Sequence, residues 1–188
     1  MKLKKMIVSL AVLLALPACS TARTQTEPAV TRSNQSIRQS NSATTYQDYD
    51  LLGVILRAEQ SSSGKVRDVL ATTRQMSLTE RAIVKGGCWD YLDAAWTRAG
   101  VPRNARVTTF KGNIKGEFVN PNELRAGDWI YHVNYSYNNI EHSGMFIGWV
   151  DKSKRLGVTL SYAGSNRKEP ARYKVYDLSG VYNIMRAS

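Results

Sequence analysis

Three residues carry most of the reactive potential of this chain: Cys88, His132 and His142. Cys88 is one of two cysteines, and the two histidines are the only ones present. A thiol becomes a nucleophile when a base or a cation holds it as thiolate. Imidazole is the side chain best suited to that task near neutral pH. Cys88 follows Gly86-Gly87 and opens the stretch "CWDYLDAAWTRAG", which places it at the start of a predicted helix. There the positive end of the helix macrodipole favours a thiolate. The competing reading is a buried, inert cysteine, because a free thiol packs like a small hydrophobe. Both histidines lie far downstream, so only folding can bring one of them to the sulfur.

Alternation separates the two histidines. In "HSGMFIGWV" a period of two puts His142, Gly144, Phe146 and Gly148 on one face. Ser143, Met145, Ile147 and Trp149 fall on the other, the better core face. The two glycines beside His142 predict a cleared surface where a substrate backbone can approach. His132, between Tyr131 and Val133, lacks that clearance. For each histidine a purely structural role is the alternative.

The elements that must position these side chains follow from pattern. "YDLLGVILRAEQ" and "SGKVRDVLATTRQM" read as helices, and a further helix is expected from "SLTERAIVKGG". There Ser77 and Glu80 have capping-box spacing and Gly86-Gly87 supply a stop. In the helix that Cys88 opens, Cys88, Leu92, Ala95, Trp96 and Ala99 share one face, and Gly100 ends it. From Asp128 the period changes to two. "DWIYHVNY", "HSGMFIGWV", "RLGVTLSY", "ARYKVYDL" and "GVYNIMR" read as strands, with connectors short enough for antiparallel neighbours. Helices followed by strands predict an α+β fold, with N-terminal helices packed on an antiparallel sheet of about five strands.

The N-terminus supplies the cellular setting. Lys2, Lys4 and Lys5 precede an apolar run from Met6 to Leu16 that is too short to span a bilayer. Leu16-Pro17-Ala18-Cys19 then resembles a bacterial lipobox, in which the chain is cut before the cysteine and that cysteine is acylated. Residues 1–18 are accordingly expected to be a lipoprotein signal peptide, with Cys19 the lipidation site. A plain secretory cleavage site is the alternative. Lipidation of Cys19 leaves Cys88 unpaired in an oxidising compartment, which points to a reactive thiol. A Cys19–Cys88 disulfide requires the lipobox reading to fail. Residues 19–46 are rich in Ser, Thr, Gln and Asn and read as a flexible tether. Residues 47–188 then form a single domain.

The formal charge of +11 falls by three units when residues 1–18 are removed. The excess suits polyanionic surroundings such as cell-wall polymers or acidic headgroups. Nucleic acid is the least fitting partner for an exported, anchored chain. Ser20 after the lipid cysteine, rather than Asp, is compatible with the outer membrane facing the periplasm in a cell with two membranes.

Four segments in order carry a family resemblance. These are "GGCWDYLDAAWTRAG", Pro102-Arg103, the Gly127-Asp128 turn into a strand, and "HSGMFIGW". Together they resemble the NlpC-type papain-fold cell-wall cysteine peptidases over roughly residues 85–165. The sister CHAP amidases are similar around the cysteine. The resemblance implies a papain-like fold, Cys88 as nucleophile, His142 as general base, and the Cys88 backbone N–H as part of an oxyanion hole. It implies no cofactor and no metal. The substrate it implies is the stem peptide of peptidoglycan, reached by a protein held to the membrane through its lipid anchor. A third, orienting residue belongs on the next strand: Ser161 if Leu160 faces the core, Tyr162 if the register slips by one. Two departures stand out, Gly87 where the family usually has Asp, and bulky Trp89 after the cysteine. They keep open the alternative of a catalytically weak or inactive lipoprotein that binds cell-wall peptides.

Overall fold

The computed structural model describes residues 49–188. Asp50 accepts a hydrogen bond from the Gly53 N–H at 2.8 Å and so caps α1 (Leu51–Ser61). α2 (Gly64–Arg74) buries Val69, Leu70 and Thr73. It runs straight into a π-helical turn, Gln75–Thr79. The separate helix expected from Ser77 does not form. Ser77 is buried and donates to the Ala171 carbonyl at 2.7 Å instead of capping. Glu80 is taken by the Arg98 guanidinium, with contacts of 2.6 and 2.7 Å. Arg81, at φ 51°, turns the chain out of the helical path. Residues 80–87 therefore run as irregular chain to the start of the next helix.

That helix is α3 (Cys88–Arg98), which buries Tyr91, Leu92, Ala95 and Trp96. The Asp90 carboxylate accepts from the Gly87 N–H at 2.7 Å, half of a capping box. At the other end Gly100 adopts φ 78°. Its N–H reaches Thr97 O at 3.0 Å, and the Val101 N–H reaches Trp96 O at 2.8 Å. This is a Schellman stop, which needs a left-handed residue where Gly100 stands.

The strands are β1 (Arg106–Lys111), β2 (Trp129–Asn134), β3 (Ile140–Asp151), β4 (Leu156–Ser161), β5 (Arg172–Asp177) and β6 (Val181–Ala187). They form one antiparallel sheet in the order β1-β6-β2-β3-β4-β5. The class is α+β as expected, with six strands rather than five. The strand missed was β1, an edge strand whose Val107, Thr108 and Thr109 are all exposed, leaving no alternation to read.

Two apolar clusters line the two sides of this sheet. The first joins the helices to it through Trp96, Leu92, Trp129, Met145, Ile147 and Leu160. Trp96 and Trp129 are fully buried and meet edge-on, with ring centroids 5.5 Å apart. Truncating either to alanine costs about 3–5 kcal/mol by size alone. The second cluster gathers Ile130, Phe146, Tyr176 and Ile184 with Val119 and Leu124 from the β1–β2 connection. Two anchors fasten α3 and β2 in place. Arg106, almost wholly buried, bonds Asp93 Oδ1 at 2.6 Å, Thr97 Oγ1 at 3.0 Å and the Val101 carbonyl at 3.1 Å. Arg186 grips the buried Asp128 carboxylate with bonds of 2.8 and 3.0 Å. Burial pushes the Asp128 carboxyl above its ordinary value, and the Arg186 guanidinium works against that push.

Candidate active site

Cys88 is a free, half-buried thiol at the first position of α3. Burial by itself would raise its pKa. Hydrogen bonding from His142 and from the Ser143 hydroxyl and backbone, together with the His142 charge, more than reverses that and brings the thiol down to about 7. The fold thus brings Cys88 and His142 together, with Ser143 beside them. Among the described residues the buried Ser143 Oγ has no other hydrogen-bond partner.

His142 lies near the start of β3, and its Nε2 is 2.8 Å from the Ser161 Oγ on β4. With Nε2 committed there, Nδ1 is the nitrogen left to face the sulfur. Ser161 also accepts a hydrogen bond from the Tyr176 hydroxyl at 3.0 Å. Pairing decided between the two orienting candidates. Leu160 pairs with Met145 and both are buried in the helix-side cluster, which turns Ser161 to the opposite face with His142. Tyr162 is directed elsewhere, its hydroxyl donating to the Val84 carbonyl at 2.7 Å.

His132 is not at the sulfur but behind the other histidine. The two are cross-strand partners in the β2–β3 ladder, with ring centroids 5.7 Å apart. Tyr176 completes the cluster, 5.3 Å from the His132 ring. His132 has no solvent exposure. Its Nδ1 lies 3.2 Å from the Val133 carbonyl, and its Nε2 has no partner among the described residues. Burial first, and the His142 charge second, push it down to about 4, so it stays neutral at ordinary pH.

The alternation around His142 holds only as far as Ile147. A β-bulge between Phe146 and Gly148 shifts the register, so Gly148 faces Val54 of α1 and Trp149 packs on Phe146 at 5.0 Å. The expected faces of Gly148 and Trp149 are therefore exchanged. Nor does Gly144 clear a path for substrate, because a Cβ there would collide with Thr159 and with the Leu160 carbonyl. That glycine permits strand packing.

Trp89, the bulky departure after the cysteine, lies in the seam between helix and sheet. Its ring is 5.6 Å from Trp129 and is covered by the Arg103 guanidinium at 4.8 Å. Asp93 fixes Arg103 through bonds of 2.9 and 3.1 Å. Two further tyrosines escaped the sequence reading. Tyr131 is the cross-strand partner of Ser143 and feels the Cys88 charge; burial, the larger cause, and that charge both raise its phenol. Tyr176 reaches the site because β5 pairs it with Gly157. Both placements depend on strand register, for which single-strand pattern carries no signal.

An open groove of roughly 500 Å³ lies between residues 85–87, which directly precede Cys88, and residues 163–166. The Ser165 N–H bonds the Gly86 carbonyl at 2.9 Å, and the Gly86 N–H bonds Ser165 Oγ at 3.1 Å. Trp89 does not line it. Among the described residues no cluster of three His, Cys, Asp or Glu side chains is placed to hold a metal, and no helix is long and apolar enough to cross a membrane. Cys19, the leader and the tether lie outside the described residues. Compared with known proteins, the chain matches no family model, no curated protein and no solved structure.

Proposed function

We propose that this protein is a lipid-anchored cysteine hydrolase that cleaves amide bonds in the peptide part of peptidoglycan. The observation that carries the chemistry is the file of Cys88, His142 and Ser161: a lowered thiol, an imidazole and a hydroxyl that orients it. The substrate rests on the sequence, through the lipobox-like Cys19, the positive charge and the resemblance to NlpC-type peptidases.

In this reading the Cys88 thiolate attacks the amide carbonyl carbon and a C–S bond forms. The π electrons move to the oxygen, which the Cys88 backbone N–H stabilises, since the first amides of a helix have no partner within it. As the tetrahedral species collapses the C–N bond breaks, and the amine leaves with a proton from His142. Water then attacks the thioester while His142 takes its proton. The C–S bond breaks, releasing a carboxylic acid product and restoring the thiolate. Ser161 holds the imidazole in the plane these proton transfers need, the role an Asp or Asn plays in other triads.

Purified sacculi incubated with the wild type and with Cys88→Ala test the proposal. Soluble peptide fragments are expected from the wild type alone. Equal product from both proteins sinks the assignment, and intact binding with no product from either favours the peptide-binding alternative.

A further inference from the structure

We infer that the groove beside Cys88 is a subsite for a substrate carboxylate, with Lys85 as the cation that recognises it. This rests on the reading of Cys88 as the nucleophile and names the class of peptide presented to it: an extended chain with a free carboxylate close to the scissile amide.

The groove is a built feature. Its two walls come from chain segments far apart in sequence, and the paired Gly86–Ser165 hydrogen bonds hold them together. Both glycines at the seam are required. Gly164 has φ 98°, and a Cβ on it would lie 3.3 Å from the Gly86 carbonyl oxygen. Gly86 has φ 107°, and a Cβ on it would collide with the Asp90 carboxylate. The walls are therefore mostly backbone, and the space between them is open to a ligand.

The one charged side chain among the lining residues is a cation. Lys85 lines the groove, and no Asp or Glu does. Arg167 and Lys168 follow directly on the far wall, and both are exposed. Among the described residues none of these three cations is in an ion pair. Arg98 and Arg103, on the body and far side of α3, are by contrast tied to Glu80 and Asp93. Of the nearby acids, Glu169 is paired with Arg172 at 3.0 Å, while Asp90 accepts from the Gly87 N–H and keeps its charge. A carboxylate entering the groove thus meets the unpaired Lys85 ammonium, with Arg167 and Lys168 close by in the chain, so that cations outnumber the one unpaired carboxylate, Asp90, beside Gly86.

Two affinity labels test this without a known substrate. N-iodoacetylglycine carries a carboxylate, and N-iodoacetylglycinamide is its neutral twin. Alkylation of Cys88 in the full-length protein is followed by mass spectrometry at pH 7 in low salt. The carboxylate label is expected to react about fivefold faster than the amide, the scale of one exposed ion pair, and the preference should shrink as salt is added. Lys85→Gln should bring the ratio near one and leave the neutral label's rate within about twofold, while Lys85→Arg should keep the preference, since a solvent-exposed change of this kind leaves the fold intact. Equal rates for the two labels on the wild type overturn the subsite, as does a preference that survives Lys85→Gln. The ratio reads the groove and the neutral label's absolute rate reads the thiol. A sluggish thiol with a Lys85-dependent ratio would thus remove the hydrolase reading and keep the carboxylate site.

Discussion

Nε2 of His142 and Oγ of Ser161 lie 2.8 Å apart, linking β3 to β4 through side chains. The Tyr176 hydroxyl donates to the same oxygen at 3.0 Å. Ser161→Ala removes the bond that fixes the ring, and a hydrogen bond of about 1–1.5 kcal/mol corresponds to roughly tenfold in rate. Fragment release from sacculi and Cys88 alkylation at pH 7 should both fall by about that factor. Tyr176→Phe keeps the Ser161 bond and should cost only a few-fold. Unchanged rates in Ser161→Ala would mean that the imidazole is held by packing against His132 and Tyr176 instead.

The lowered thiol has a pH signature. Only the thiolate reacts, so iodoacetamide labelling of Cys88 should rise with pH through a midpoint near 7. His142→Ala removes both the hydrogen bond and the charge that oppose burial, so the midpoint should move upward and labelling at pH 6.5 should slow. A stopped-flow or mass-spectrometric rate profile reads both shifts. Coincident profiles for the two proteins would detach His142 from the sulfur.

His132 makes a prediction about stability. Its folded-state pKa of about 4 lies below the ordinary value, so the unfolded chain binds the proton first. Its contribution is complete above about pH 6.5 and is lost as pH falls toward 4. The loss amounts to about 3 kcal/mol if fully expressed. His132→Phe removes the titrating group, so its urea midpoint should fall less between pH 7.5 and 4.5 than that of the wild type. Parallel falls in the two proteins would place the acid sensitivity elsewhere.

The helix that carries Cys88 was legible because Leu92, Ala95 and Trp96 recur with the helical period and Gly100 supplies a stop. Both signals are local. The Ser77–Glu80 capping pattern was equally local and misled, since Ala171 and Arg98, both distant in sequence, claimed those side chains. Strand β1 was hidden by its exposure on both faces. In β3 the pattern was readable until the bulge, where one extra residue exchanged the faces of Gly148 and Trp149. The orienting residue could be narrowed to Ser161 or Tyr162 but no further. The choice was made by Leu160 facing Met145, a pairing between strands that neither strand encodes alone.

The Gly86–Ser165 clasp bears on when the site becomes ordered. It ties the loop entering α3 to the loop leaving β4, two segments 79 positions apart. The sulfur and the imidazole therefore belong to one rigid frame before any ligand arrives. Their alignment is settled once, as the chain folds, and need not be won again at every encounter. Such a frame needs no closing lid to bring the sulfur and the imidazole together.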